Sequence, residues 1–509
     1  MSISSATTIT LGTRQSSIDE IVQIADGASV SLAADALQNM DRVHHYVRNA
    51  IDQGQVIYGL TTGVGSLVST RLTADQIAGS QINMLRSHAC GTGADLSIRE
   101  TRAMMAVTLK SLLQGYSGVS SSLAIRLAEM LNRQVIPWSP SGGSVGYLIA
   151  TAHIGLSVFG EGKCWYQGQL LPSAQALQQA GMSVVKPGPR EGHALIGGTY
   201  EITALGCLVI ADFRRLLPVA DMAGGICLEA LCGNTRGYDA RLHQLRPHPG
   251  QQETARIMRS LLRDSEILET WKNHRVQDAL SLRCIPQIHG AVRDQLENCA
   301  QVLTRELNSV TDNPLFVIED QQLITLPGGN GHGAPVALAL DALAIAIAQL
   351  STASQARSDR ITNTQLSGLP AFLVPPGSGI SGMMIPPYVA AALAGDNRSL
   401  AGPASIHTVS TCAGQEDHIS MGVSAARKAL KAVENAEDII GIELLCGCQA
   451  LEFHRPLKAS VGSEATLALV RKQVPFRQQD TAVYPDMRAV RGLIREGTLA
   501  RLLTDLSSQ

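Results

Sequence analysis

The chain has 509 residues, 41 Lys plus Arg against 43 Asp plus Glu, 4% aromatics, and abundant Ala, Leu and Gly. The length allows a large core, and a near-neutral chain without a long basic run argues against nucleic acid as the main partner. Ten cysteines are scattered, with only Cys446 and Cys448 close together, so no metal site is expected and the thiols read as buried and reduced.

In chain order, residues 1–14 are polar and Thr/Ser-rich. They lack the charged start and apolar stretch of a signal peptide, so a cytoplasmic protein is expected. Residues 32–53 carry apolar positions at helical spacing. Residues 58–66 (YGLTTGVGS) form a Gly/Thr loop able to bring backbone amides and a tyrosine to a ligand. Residues 99–114 and 123–132 read as amphipathic helices. Residues 137–146 (PWSPSGGSVG) are a dense breaker segment. Residues 163–180 read as a small hairpin followed by a helix.

From Tyr200 onward the pattern changes. Segments 200–221, 297–308, 333–352 and 420–445 have helical period and little Pro. Gly/Pro loops separate them at 246–250, 311–314, 327–332 and 370–387. The most apolar stretch, 334–350, is interrupted by Asp341, which favours a central bundle helix over a membrane span. The division expected is a loop-rich N-terminal lobe, 1–199, and a long-helix bundle, 200–509, in a mainly α chain.

The loops carry seven motifs in fixed order: 58–65 (YGLTTGVG), 87–93 (SHACGTG), 143–146 (GSVG), 277–287 (QDALSLRCIPQ), 309–315 (SVTDNPL), 328–332 (GGNGH) and 415–421 (QEDHISM). In this the chain resembles the histidine and aromatic amino-acid ammonia-lyase family over nearly its whole length. The resemblance implies an ammonia-lyase/fumarase-like helical bundle, a homotetramer with active sites built from three chains, and a small-molecule substrate, with no membrane partner. It also implies an electrophile, 4-methylideneimidazole-5-one (MIO), made from Ala-Ser-Gly after GSVG and before Asp-Leu-Ala-Pro-Leu-Ala-His. Here Gly146 runs straight into Tyr147 and on to His153 (YLIATAH). The chain as it stands cannot make MIO there, so no cofactor is expected.

Four further positions depart together from the family pattern. Tyr147 stands for the Asp after the triad, Gly197 for the Asn of its NGT motif, Leu280 for the Tyr before SLR, and Gly331 for the Phe of GGNFH. Coordinated change points to real loss of the group. A matured MIO between Gly146 and Tyr147 would instead make the chain an MIO-dependent histidine ammonia-lyase giving urocanate and ammonia.

The resemblance assigns roles residue by residue, and each has a plainer reading. Tyr58 matches the family's general base for a Cβ proton; otherwise it packs under its loop. His88, in Ser87-His88, matches the histidine enzymes' substrate-reading pair; a lone His is more often structural. Glu416 matches an acid that hydrogen-bonds the substrate imidazole; otherwise it is a helix-start carboxylate. Arg283 matches the substrate-carboxylate Arg, for which a planar fork is suited; otherwise it is a structural ion-pair partner. Gln277 and Asn313 match polar active-site positions. Tyr147 either fills the space of the missing triad or acts beside Tyr58 as acid or base, and glycines at 197 and 331 would widen the amine end of the pocket.

Together these suggest a 1,2-elimination from a histidine-type substrate that proceeds without MIO. A trimethylammonium group, as in histidine betaine or ergothioneine, stays cationic and departs as neutral trimethylamine. In this the chain resembles the ergothionases. The alternatives are an aminomutase and an inactive paralogue that binds or pairs subunits.

Overall fold

The computed structural model describes residues 7–63 and 69–507. The last part of the Gly/Thr loop, from residue 64, lies outside them. The chain divides into two compact units, one formed by Met1–Leu208, Ala300–Leu340 and Pro403–Arg427, the other by Val209–Cys299, Asp341–Gly402 and Lys428–Gln509.

The first unit is built from short elements. Strands Thr8–Leu11 and Ser29–Leu32 pair in parallel. Helices Ile18–Ala25, Ala74–His88 and Ile98–Leu112 each begin with a capping box, from Ser17 with Glu20, Thr73 with Gln76, and Ser97 with Glu100. Each box satisfies two backbone N–H groups at a helix start. The expected hairpin is present as Lys163–Tyr166 paired with Gln169–Pro172, followed by the helix Ser173–Gln179. Arg102 is fully buried. Its guanidinium donates to the carbonyls of Ile24 (2.8 Å), Leu131 (3.0 Å) and Ala28 (3.1 Å), tying three chain segments together.

The long helices foreseen after Tyr200 are all present and longer than their apolar periodicity: Tyr200–Ala230, Ile285–Leu307, Ala334–Thr362 and Gly422–Leu451. Pro218 is accommodated inside the first. Ala334–Thr362 is long and apolar enough to cross a membrane by composition alone, yet 67% of its most apolar window is buried in the protein, as a core helix requires. In the second unit a chain of buried charges joins all four of these helices. Arg357 grips Glu443 through Nε (2.5 Å) and Nη2 (3.0 Å), and also donates to the Ser281 carbonyl (3.1 Å). His289 links Arg357 (3.3 Å) to Asp221 (2.8 Å), and Arg293 closes on Asp221 at 2.6 Å.

Candidate active site

Five segments of the first unit meet around a cavity of about 330 Å³. Tyr58, Tyr147, Asn313 and Glu416, four of the residues singled out from sequence, line it together, with Val145, Leu148, His332, Asp417, His418 and Ser420. The volume suits an amino-acid-sized ligand.

The loop bearing Tyr147 is held from both sides. The Ser144 hydroxyl donates to the Tyr147 carbonyl at 3.1 Å, and the Met421 N–H donates to the Val145 carbonyl at 2.8 Å. The second bond fixes the 415–421 loop, and so Glu416, against the Tyr147 loop. Leu148 then turns the chain at φ +90° before helix Ile149–Val158 begins. A left-handed conformation is costly for a branched side chain. Its position beside Tyr147 marks where the fold carries strain.

Tyr147 packs against the room left by Gly331. A Cβ at 331 would lie 2.9 Å from the Gly197 carbonyl oxygen and 3.3 Å from Tyr147 Cζ. A Cβ at 197 would lie 2.4 Å from Asp312 Oδ1. The widened amine end expected from these glycines is therefore corrected: the space at 331 is taken up by the Tyr147 ring, and that at 197 by the Asp312 carboxylate. Gly331 and Tyr147 are one packing solution.

The Tyr147 hydroxyl is pushed up to about 12, first by burial, then by Glu416, Tyr58 and Asp312 around it. It stays protonated across the physiological range. Asp312 is held by a fully buried Arg190 at 2.7 Å. Among the described residues that line the cavity there are two carboxylates, Glu416 and Asp417, and no Lys or Arg. Glu416 is exposed within this chain; its Oε2 accepts from the Thr411 hydroxyl at 3.1 Å. It precedes the helix start at Gly422 by a loop, so the helix-start reading does not apply to it.

The other singled-out residues lie elsewhere. His88 ends helix Ala74–His88, half-buried, outside the cavity wall. Its Nδ1 sits 2.8 Å from the Met84 carbonyl, which places a ring proton on Nδ1. Arg283 closes the short helix Leu280–Arg283 and is half-buried; Gln277 is exposed. Both belong to the second unit. The structure also supplies residues that the sequence reading does not single out. His332 and His418 stand inside two of the motifs, and their rings approach at 5.3 Å, with His418 Nδ1 3.3 Å from His332 Nε2. His193, a polar residue in the apolar run Ala194-Leu195-Ile196, is buried against Tyr58.

These residues do not fit MIO formation. Ala-Ser-Gly occurs nowhere in the 509 residues. The residues before Tyr147 are Ser144, Val145 and Gly146, and the central one has no hydroxyl to lose.

The sequence matches the aromatic amino acid lyase family over residues 16–472, which makes this helical fold and its cavity those of a lyase. The chain belongs to that family and is a carbon–nitrogen lyase. It is 42% identical to the histidine ammonia-lyase of Sorangium cellulosum over 96% of this chain and 97% of that one. In structure it is similar to histidine ammonia-lyase from Trypanosoma cruzi (TM-score 0.91, 34% identity, covering 98% and 95% of the two chains). It is also similar to the ergothioneine-degrading ergothionase of Treponema denticola (TM-score 0.90, 25% identity, 97% and 99%).

Proposed function

We propose that this enzyme eliminates the α-amine of a histidine-type substrate without MIO, and that its leaving group is trimethylammonium, as in histidine betaine or ergothioneine. The observation that carries this is Tyr147, packed against Gly331 beside Val145-Gly146 in a cavity whose described lining residues include carboxylates and no Lys or Arg. Tyrosine rings with nearby carboxylates attract a quaternary ammonium, which has no N–H to donate and is recognised by charge and ring faces.

The residues divide the work as follows. Tyr58 takes the Cβ proton. The electron pair of the C–H bond becomes the Cα=Cβ bond, and the pair of the Cα–N bond leaves with nitrogen as neutral trimethylamine. Glu416 accepts a hydrogen bond from the protonated imidazole, whose ring takes up the charge that develops at Cβ, while the protonated Tyr147 offers a hydrogen-bond donor at the cavity wall. Asn313 keeps its loop in place: its Oδ1 accepts the Gly328 N–H at 2.9 Å. Arg283, Gln277 and His88 read the substrate from outside this cavity in a homotetramer, as the resemblance implies.

A second reading, release of ammonia from histidine itself, is favoured by the names of relatives at about 40% identity. The test is a leaving-group assay of the purified protein on histidine, histidine betaine and ergothioneine. The proposal expects trimethylamine from a betaine at a rate well above ammonia from histidine. Ammonia release from histidine with no turnover of either betaine would replace it with the second reading.

A further inference from the structure

His193 is not used by the roles above, yet it stands where Tyr58 is held. Tyr58 opens a tight turn in which Gly59 has φ +66° and its N–H is donated to the Thr62 hydroxyl at 3.3 Å. Against this turn lies the short helix Glu191–Ala194, and His193 is buried in it. The His193 ring meets the Tyr58 ring edge-on, with centroids 5.9 Å apart and planes at 64°. Its backbone N–H donates to the Oε1 of buried Gln81 at 3.0 Å, which fixes where the ring starts from.

The choice of histidine here is not explained by packing. Among the described residues its Nδ1 is buried without a hydrogen-bond partner, a placement that an apolar side chain of similar size would avoid. Its neighbours in sequence, Ala194, Leu195 and Ile196, are all apolar and buried. Burial holds the imidazole neutral, and Arg190 adds to this; the Gly59 backbone pulls weakly the other way, and His88 again favours the neutral ring. Arg190 is locked in turn by Asp312 at 2.7 Å and by the Pro314 carbonyl at 3.2 Å. His193 therefore sits among Tyr58, His88 and a fixed buried cation, as a rigid, uncharged, polar ring.

We propose that His193 is a positioning residue for Tyr58: its ring edge fixes the rotamer of the phenol and so the direction from which the hydroxyl reaches the substrate's Cβ. A misdirected base slows proton removal while leaving substrate binding nearly intact, because small errors in the alignment of reacting atoms act on the rate. This rests on the reading that Tyr58 is the base.

The test is a double-mutant cycle on the full-length protein, with His193→Leu, His193→Gln, Tyr58→Phe and the His193→Leu/Tyr58→Phe pair. Each is assayed on whichever of histidine, histidine betaine and ergothioneine the wild type turns over best, and checked by thermal melting. His193→Leu is expected to lower kcat by about ten- to a hundredfold with KM within about threefold. His193→Gln, which keeps a polar edge, is expected to recover part of that rate. The double variant is expected to be no slower than Tyr58→Phe alone, since an effect that acts through Tyr58 vanishes when its hydroxyl is gone. Effects that multiply in the double variant overturn the proposal, as does a wild-type kcat in His193→Leu. If His193→Leu does not fold, the same comparison is made with His193→Gln alone and in the Tyr58→Phe background, and multiplying effects again overturn it. A Tyr58→Phe variant as fast as wild type sinks the base assignment itself, a result separate from any value obtained for His193.

Discussion

Each of the two units buries a cluster of charges, and the clusters are built to different standards. In the second unit Arg357, Glu443, His289 and Asp221 are all fully buried and bonded to one another. His289 is held neutral mainly by burial. Its Nδ1–H then donates to Asp221 and its Nε2 accepts from Arg357, so both ring nitrogens are used. In the first unit the buried groups are left partly open. Arg190 Nη1, His193 Nδ1 and both oxygens of Glu201 have no hydrogen-bond partner among the described residues. Glu201 faces Arg427 only at 3.9 Å. A closed cluster specifies packing; an open one, beside a cavity, keeps polar groups oriented for chemistry at a cost in stability.

The comparison can be broken most sharply from the site side. Tyr58→Phe should lower kcat on the best substrate by about 10²- to 10⁴-fold, the range of general acid–base catalysis, with little change in thermal melting. Stopped turnover without a melting change assigns Tyr58 to chemistry; a large loss of stability assigns it to packing. The closed cluster should behave in the opposite way. Arg357→Ala strands a buried Glu443 carboxylate and should cost about 3–5 kcal/mol of stability. Denaturant unfolding measures this, and a cost near zero would mean that the cluster is not structural.

Smaller effects sharpen the contrast. Gly331→Ala puts a Cβ 2.9 Å from the Gly197 oxygen and against the Tyr147 ring. It should cost about 1–3 kcal/mol of stability or displace Tyr147 with a loss of rate. Melting and kinetics on the same sample distinguish the two, and a neutral outcome in both would show that the glycine is not needed. The smallest expected effect is at Glu201. Burial pushes its carboxyl up to about 7; Arg427 opposes this and Glu100 adds to it. A raised carboxyl favours folding below its unfolded value near 4.5, and that contribution is lost as pH rises through about 7. Glu201→Gln should therefore gain stability relative to wild type between pH 5 and pH 8. A melting difference that stays flat with pH would remove Glu201 from the open cluster.

Much of this architecture is legible in the sequence. The long helices follow from apolar period, and Tyr58, Tyr147, Asn313 and Glu416 converge because each sits in a loop motif that the helices bring together. What is not legible depends on distant partners. The room at Gly331 has meaning only beside Tyr147, far away in sequence, and Gly197 only beside Asp312. His193 reads as an ordinary core position until Tyr58 and Arg190 are packed around it. The hairpin Leu315–Glu319 with Gln322–Leu326 hides for a local reason. Its turn places Asp320 and Gln321 at φ +48° and +62°, without the Asn-Gly or Asp-Gly pair that announces such turns.

The central claim is that the segment before Tyr147, Ser144-Val145-Gly146, carries no MIO, and that the enzyme works without it. Peptide mapping by mass of the purified protein across residues 142–149 tests this most directly. The account predicts an unmodified peptide reading Ser144-Val145-Gly146-Tyr147, in protein that turns over a histidine-type substrate. A peptide lighter by the water lost in forming MIO, or one that takes up a thiol or cyanide as active protein is inhibited, would contradict it.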